Sequence, residues 1–156
     1  MKTFDKSEIT ADQLMADKAQ QAFNFGPMLL DGNGKAIPTE LLKKRPPLYN
    51  PANPRCGIGY FAPNHFVFVV VDGIRGETNV GLSKGMTTSE FAQLFESLGC
   101  KAAYNLDGGG SATMVFMGQV INHPCDNGGQ ERAVSDIVYF GESETDQANI
   151  GRMNSN

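Results

Sequence analysis

Six consecutive apolar residues, Phe66-Val67-Phe68-Val69-Val70-Val71, restrict this chain more than any other stretch. All six are aromatic or β-branched, the side chains that fit a pleated surface. The run does not alternate with polar residues, so it predicts a strand buried on both faces at the centre of a sheet. It is far shorter than the roughly 20 residues a bilayer-crossing helix needs. No longer apolar run occurs, so no membrane span is expected. The run stops at Asp72-Gly73. A second short apolar segment, 102–106, stops the same way, at Asp107-Gly108-Gly109-Gly110-Ser111.

Around these two segments the chain alternates strand and helix signals. Thr10-Ala11-Asp12-Gln13 reads as a capping box opening a helix over 9–22, with only Leu14, Ala19 and Ala22 as an apolar face. Met28-Leu29-Leu30 precedes the turn Asp31-Gly32-Asn33-Gly34 and should double back as a hairpin. Residues 38–54, rich in proline and basic residues, read as a surface loop. Residues 55–60 and 65–71 are strands joined by a turn at Pro63-Asn64. Thr87-Thr88-Ser89-Glu90 caps a helix over 89–98 whose apolar face is Phe91, Leu94, Phe95 and Leu98, with Gly99 as its stop. Residues 112–116 and 120–122 suggest a hairpin around Met117-Gly118, and 133–140 a last strand. A polar tail, 143–156, should be disordered. The expected class is α+β: a mixed β-sheet with two main helices and β-hairpins, in one domain over 1–142.

Composition removes several classes of function. The 156 residues carry a net charge of -4 and no basic stripe, so nucleic acid is not an expected partner. Lys43-Lys44-Arg45 runs into Pro46-Pro47 and reads as a solvated loop. The three cysteines, Cys56, Cys100 and Cys125, are odd in number and lack C-x-x-C spacing, so neither a disulfide framework nor a zinc site is indicated. One bridge or three free thiols both remain open. The two histidines, His65 and His123, pair with no acid or nucleophile at a telling spacing and read as surface or turn residues. No G-x-S-x-G elbow, P-loop or H-E-x-x-H helix is present.

The chemistry-bearing residues gather at strand ends, where sheet proteins place ligands. Three successive glycines permit positive φ, so that neighbouring N–H groups can point into one concavity and bind an anion, phosphate above all. Ser111 adds a hydroxyl. Asp72 and Asp107 each end an apolar strand. Arg55 opens a strand, and a guanidinium gives bidentate recognition of phosphate or carboxylate. Arg75 and Arg132 are further cations, and Arg132 stands beside Glu131, which suggests a local ion pair.

Taken in order, Phe23-Asn24-Phe25-Gly26-Pro27, Arg55-Cys56-Gly57-Ile58-Gly59, Val70-Val71-Asp72-Gly73, Gly85-Met86-Thr87, Asn105 to Ser111 and Arg132-Ala133-Val134-Ser135-Asp136 resemble the phosphodiester glycosidase family. The resemblance spans roughly 8–142, and Asn105-Leu106-Asp107-Gly108-Gly109-Gly110-Ser111 is its most specific run. It implies hydrolysis of a sugar-1-phosphodiester with release of the sugar. Carried over by position, Arg55, Asp72 and Asp107 would be catalytic. Asn105, Gly108, Gly109, Gly110, Ser111, Arg75 and Arg132 would bind substrate. Three features depart from the family pattern. Cys56 follows the first arginine, Ile74 separates Asp72-Gly73 from Arg75, and the family's N-terminal portion with its Asn-Gly-Gly-Phe-Phe-like motif is missing.

The resemblance implies no metal and no cofactor, although a divalent cation stays open. It implies a phosphorylated carbohydrate or glycan partner, an extracellular or cell-envelope setting, and a link to exopolysaccharide. The missing portion leads to an expectation of an exposed apolar patch, covered in a homo-oligomer or by that portion. The leaving group of a sugar phosphodiester is already a phosphate, so charge stabilisation matters more than protonation. One carboxylate must still meet the oxocarbenium-like centre or activate water, and Asp72 and Asp107 are both candidates. The competing reading is a non-catalytic module that binds sugar phosphate or anionic polysaccharide. A phosphodiesterase that cleaves P–O bonds at a His-rich metal cluster is disfavoured by the presence of only two histidines.

Overall fold

A capping box sets where each of the two capped helices begins. The Thr87 side chain accepts from Glu90 N, and the Glu90 carboxylate accepts from Thr87 N at 2.7 Å. Thr10 and Gln13 repeat the exchange. The computed structural model describes residues 8–19, 21–42, 51–126 and 128–141; the expected tail, 143–156, lies outside them. In chain order the elements are α1 (Ala11–Ala16), α2 (Thr39–Leu42), β1 (Arg55–Ala62), β2 (His65–Val71), α3 (Thr88–Ser97), β3 (Ala102–Asn105), β4 (Val115–Phe116) and β5 (Gln119–Val120). The α+β class stands. Every pairing of the described strands is antiparallel, where strand–helix alternation leads one to expect a mixed sheet.

The main sheet has the order β2-β1-β3. The apolar run is therefore an edge strand among the described residues, and the central position belongs to β1. The reason lies in two glycines. A Cβ on Gly57 would stand 2.8 Å from Phe91 Cε1, and one on Gly59 would stand 2.7 Å from Cys100 Sγ and 2.8 Å from Phe95. Helix α3 lies directly on the backbone of β1, and only residues without a side chain admit that approach. Phe91, Ala92 and Phe95 are fully buried there, beside Leu29, Leu30, Leu42, Cys100 and Ala103. In β2 the valines Val67, Val69 and Val71 pack against this core, while Phe66 and Phe68 face the other side. Gly57→Val would force two ring atoms and a strand apart. We expect it to lower stability by about 1–3 kcal/mol or more, read as a shift in the denaturant midpoint.

Other elements differ from the sequence reading for identifiable reasons. Helix α1 is six residues long and buries none of them, because its thin apolar stripe has nothing to pack on. Part of the loop over 38–54 folds as α2 to bring Leu42 into the core. Residues 28–30 run beside β3, with Leu29 N–H on Ala103 O, and double back through Asp31–Lys35 as expected. Residues 133–140 form no strand. A strand requires a partner, and none of the described residues offers this segment a ladder. It is exposed instead, and Phe140 stacks edge-on against Phe68 at 4.4 Å. Phe66, Ile137 and Tyr139 are exposed as well, and Phe140 lies on the sheet face opposite α3 through its contact with Phe68.

Candidate functional site

Because β2 and β3 both run antiparallel to β1, they point the same way and release Asp72 and Asp107 at the same end of the sheet. Pro54, just before β1, lies between the two exits. A Cβ on Gly73 would stand 2.7 Å from Pro54 N, and one on Gly108 would stand 2.5 Å from Pro54 O. The Gly109 N–H donates to Pro54 O at 2.9 Å. Glycine at 73 and 108 is thus what lets both strand ends close around the start of β1.

The glycine loop is a tight 3-10 turn, Gly109–Ser111, with Gly109 at φ +57. Its N–H groups do not form an open nest. Gly108 N–H donates to Asp107 Oδ1 at 2.8 Å, Gly109 N–H to Pro54 O, and Ser111 N–H to Gly108 O at 3.1 Å. Gly110 N–H is the donor left without a partner among the described residues. The small size of the loop serves the arginines. A Cβ on Gly109 would stand 3.3 Å from Arg75 Nη1, and one on Gly110 would stand 2.5 Å from Arg132 Nη2 and 2.7 Å from Asp126 Cγ. Arg132 Nε donates to Asp126 Oδ2 at 2.7 Å, and Arg132 Nη1 reaches Ser111 Oγ at 3.4 Å. Arg75 Nε lies 3.9 Å from Asp126 Oδ1. Asp126 therefore joins two guanidiniums, and its hydrogen bond holds Arg132 above the usual guanidinium value. The partner of Arg132 is Asp126 and not its neighbour Glu131. The extra residue Ile74 is taken up where Arg75 and Thr78 exchange backbone hydrogen bonds, and Arg75 still arrives over Gly109.

Asp107 is exposed and near enough to Arg132 and Cys56 to act on both: it adds to the stabilisation of Arg132's charge and opposes ionisation of the thiol. Burial, aided by Asp107, pushes the Cys56 thiol up to about 11. All three cysteines are free. Asp72 is held differently. Its Oδ1 accepts from Asn122 Nδ2 and from His123 N, each at 3.0 Å, and its Oδ2 lies 3.0 Å from His123 Nδ1. Burial raises this carboxyl, but the three hydrogen bonds outweigh burial and leave it below the usual carboxylate range. Asn122 Nδ2 also donates to Ala112 O, and Met114 N–H donates to Asn122 Oδ1, so Asp72 is tied to the segment that follows the glycine loop.

Two expected ligands are buried. Arg55 is 3 % exposed, with Nε on Met86 O at 3.0 Å and Nη2 on Pro51 O at 2.8 Å. Burial lowers its pKa from the ordinary value. It clamps the start of β1 to the segments at 51 and 86 and does not stand open to a ligand. Arg55→Lys would lose the two-carbonyl reach. We expect about 2–3 kcal/mol less stability, measured by chemical denaturation. Asn105 is 1 % exposed; its Nδ2 donates to Gly26 O at 2.9 Å and Leu106 O at 2.8 Å, which fixes the 26–27 segment against β3. Asp126 and Asn122 escaped the sequence reading, and His123 was read only as a surface or turn residue, without its partner Asp72. The cue was the string Asn122-His123-Pro124-Cys125-Asp126 directly after a hairpin, a loop whose polar residues return to the strand ends.

Among the described residues no group of three or more His, Cys, Asp or Glu could hold a metal ion. No helix among them is long and apolar enough to cross a membrane. The pattern of the phosphodiester glycosidase family matches residues 1–141. The SPbeta prophage-derived protein YomE of Bacillus subtilis is 32% identical over 148 residues, which is 94% of this chain and 21% of YomE. The chain thus spans about a fifth of the length of that relative. The catalytic domain of zebrafish N-acetylglucosamine-1-phosphodiester alpha-N-acetylglucosaminidase is 23% identical, with a TM-score of 0.54, over 69% of this chain and 38% of that one. A protein of Burkholderia pseudomallei with a solved structure is 38% identical over 51% of this chain and 14% of its own, with a TM-score of 0.45. The chain belongs to the phosphodiester glycosidase family.

Proposed function

We propose that the chain hydrolyses a sugar-1-phosphodiester, with the phosphate held at the Arg75–Arg132–glycine-loop cluster and the sugar beside Asp107. The observation that carries this is the convergence of both guanidiniums on the Gly109-Gly110 backbone, with Asp126 between them. On this reading Arg75 and Arg132 outnumber Asp126 by one positive charge on the phosphate side, while Asp107 adds its negative charge on the sugar side. The free Gly110 N–H and the half-exposed Arg75 supply directed donors. As the C1–O bond breaks, positive charge grows on the sugar and negative charge on the leaving phosphate. Asp107 faces the first need and the arginines the second. Asp126 holds the two cations on one carboxylate when no substrate is bound. Arg55 and Asn105 act from behind, by fixing β1 and the strand end.

The test is release of free sugar from a panel of sugar 1-(methyl phosphates) that includes the N-acetylglucosamine compound, run in oxygen-18 water. Label in the sugar supports the proposal. Label in the phosphate identifies P–O cleavage. Saturable binding without release identifies a non-catalytic binding module.

A further inference from the structure

Histidines read from sequence as surface residues seldom carry a fixed partner, yet His123 is gripped on two sides. Its backbone N–H donates to Asp72 Oδ1 and its Nδ1 meets Asp72 Oδ2, both at 3.0 Å. Asn79 Nδ2 donates to His123 O at 2.8 Å and reaches Gly73 O at 3.3 Å, which staples the two segments a second time. The backbone on either side of the contact is therefore fixed, and so is the plane of the ring. A carboxylate oxygen is acceptor only, so the nitrogen facing it carries the proton. The other nitrogen, Nε2, then has its lone pair directed away from Asp72. The side chain is 66% exposed and lines an open cleft of about 490 Å³, shared with Asn122, Gly129, Gln130 and Glu131. Among the described residues, the charged groups at this cleft are Asp72, in contact with the ring at the end of β2, and Glu131, which shares the lining.

We propose that His123 is the general base of this site and that Asp72 is its positioning residue. The proposal rests on the glycosidase reading above. In the step, the oxygen of a water bonds to C1 of the sugar. The C1–O bond to phosphate breaks, and its electron pair stays on the phosphate oxygen. Nε2 takes one proton from the water and returns it to the departing phosphate monoester or to solvent. Sugar and phosphate monoester together account for the atoms of substrate and water, and no oxidant or reductant is required. The assignment separates the two strand-end carboxylates: Asp107 stands open at the arginine cluster, while both oxygens of Asp72 are engaged by Asn122 and His123. Asn122 links the pair to the loop through Ala112 O, one residue after Ser111.

Two measurements on the whole chain test this. In the first, His123→Gln and the parent are compared on the sugar 1-(methyl phosphate) panel. A positioned base contributes roughly 10²–10⁴-fold, so kcat should fall by at least about 10²-fold with KM nearly unchanged. A variant within a few fold of the parent overturns the role of His123 and leaves the glycosidase reading standing. A parent that releases no sugar overturns both. The second measurement is nitrogen-15 NMR of the imidazole. The proton should reside on Nδ1 in the neutral parent, and Asp72→Asn should abolish that preference. A neutral ring protonated on Nε2 overturns the proposal whatever the kinetics.

Discussion

Asp107→Asn should lower turnover on a sugar-1-phosphodiester by about 10²–10³-fold while substrate binding is retained or tightened. The substitution preserves shape. Asp107 Oδ1 accepts the Gly108 N–H at 2.8 Å, and an asparagine oxygen can accept the same bond, so the glycine turn keeps its geometry. What disappears is the negative charge. On the proposed reading, that charge stands near the phosphate in the ground state and opposes binding, and in the transition state it faces a cationic sugar and favours reaction. Removing it should therefore lower kcat and KM together, slower turnover with binding kept or tightened, a signature that loss of folding cannot produce. Steady-state kinetics with calorimetric binding separates the two. Turnover within a few fold of the parent would mean that Asp107 only caps the turn, and the carboxylate that meets the sugar would have to be sought elsewhere. Asp72 would then be the next candidate, at the cost of releasing its grip on His123.

The strand ends were legible from sequence because Asp-Gly after an apolar run is a local signal. Both runs form strands, and antiparallel pairing to β1 brings their ends together. The position of each strand in the sheet was not legible. Gly57 and Gly59 make β1 the central strand, yet a glycine pattern reads locally as weak strand, and the benefit of the missing side chains lies in Phe91 and Phe95, more than thirty residues away. The family resemblance found Arg55 and Asn105 by position but could not tell a clamp from a ligand, since that depends on burial. Asp126 was missed, and His123 was read only as a surface or turn residue, for a related reason. Each draws its importance from a partner, Arg132 or Asp72, that only the folded chain delivers. The expected strand over 133–140 failed because its alternation was real but its ladder partner is not among the described residues.

Gly108→Ala and Gly110→Ala should fail in different ways, although the two residues are neighbours in one glycine run. At Gly108 the added Cβ would stand 2.5 Å from Pro54 O, a backbone atom locked at the start of β1. Backbone must shift, the exits of β2 and β3 around Pro54 must separate, and the expected result is a loss of about 1–3 kcal/mol in stability, read as a lower denaturant midpoint. At Gly110 the new Cβ would stand 2.5 Å from Arg132 Nη2 and 2.7 Å from Asp126 Cγ, both in side chains that can swing away. The fold should absorb the change with little loss of stability. The ion pair cannot swing without leaving its place over the loop, and the guanidinium proposed to hold the phosphate moves with it. A displacement on the order of 1 Å in a positioning group costs about 10²-fold in rate. Gly110→Ala should therefore melt near the parent and bind phosphate-bearing substrate poorly, with kcat/KM down about 10²-fold. Equal activity in parent and Gly110→Ala would mean that Arg132 and Asp126 serve only to pin the 126–132 segment, and the phosphate site would contract to Arg75 and the Gly110 N–H.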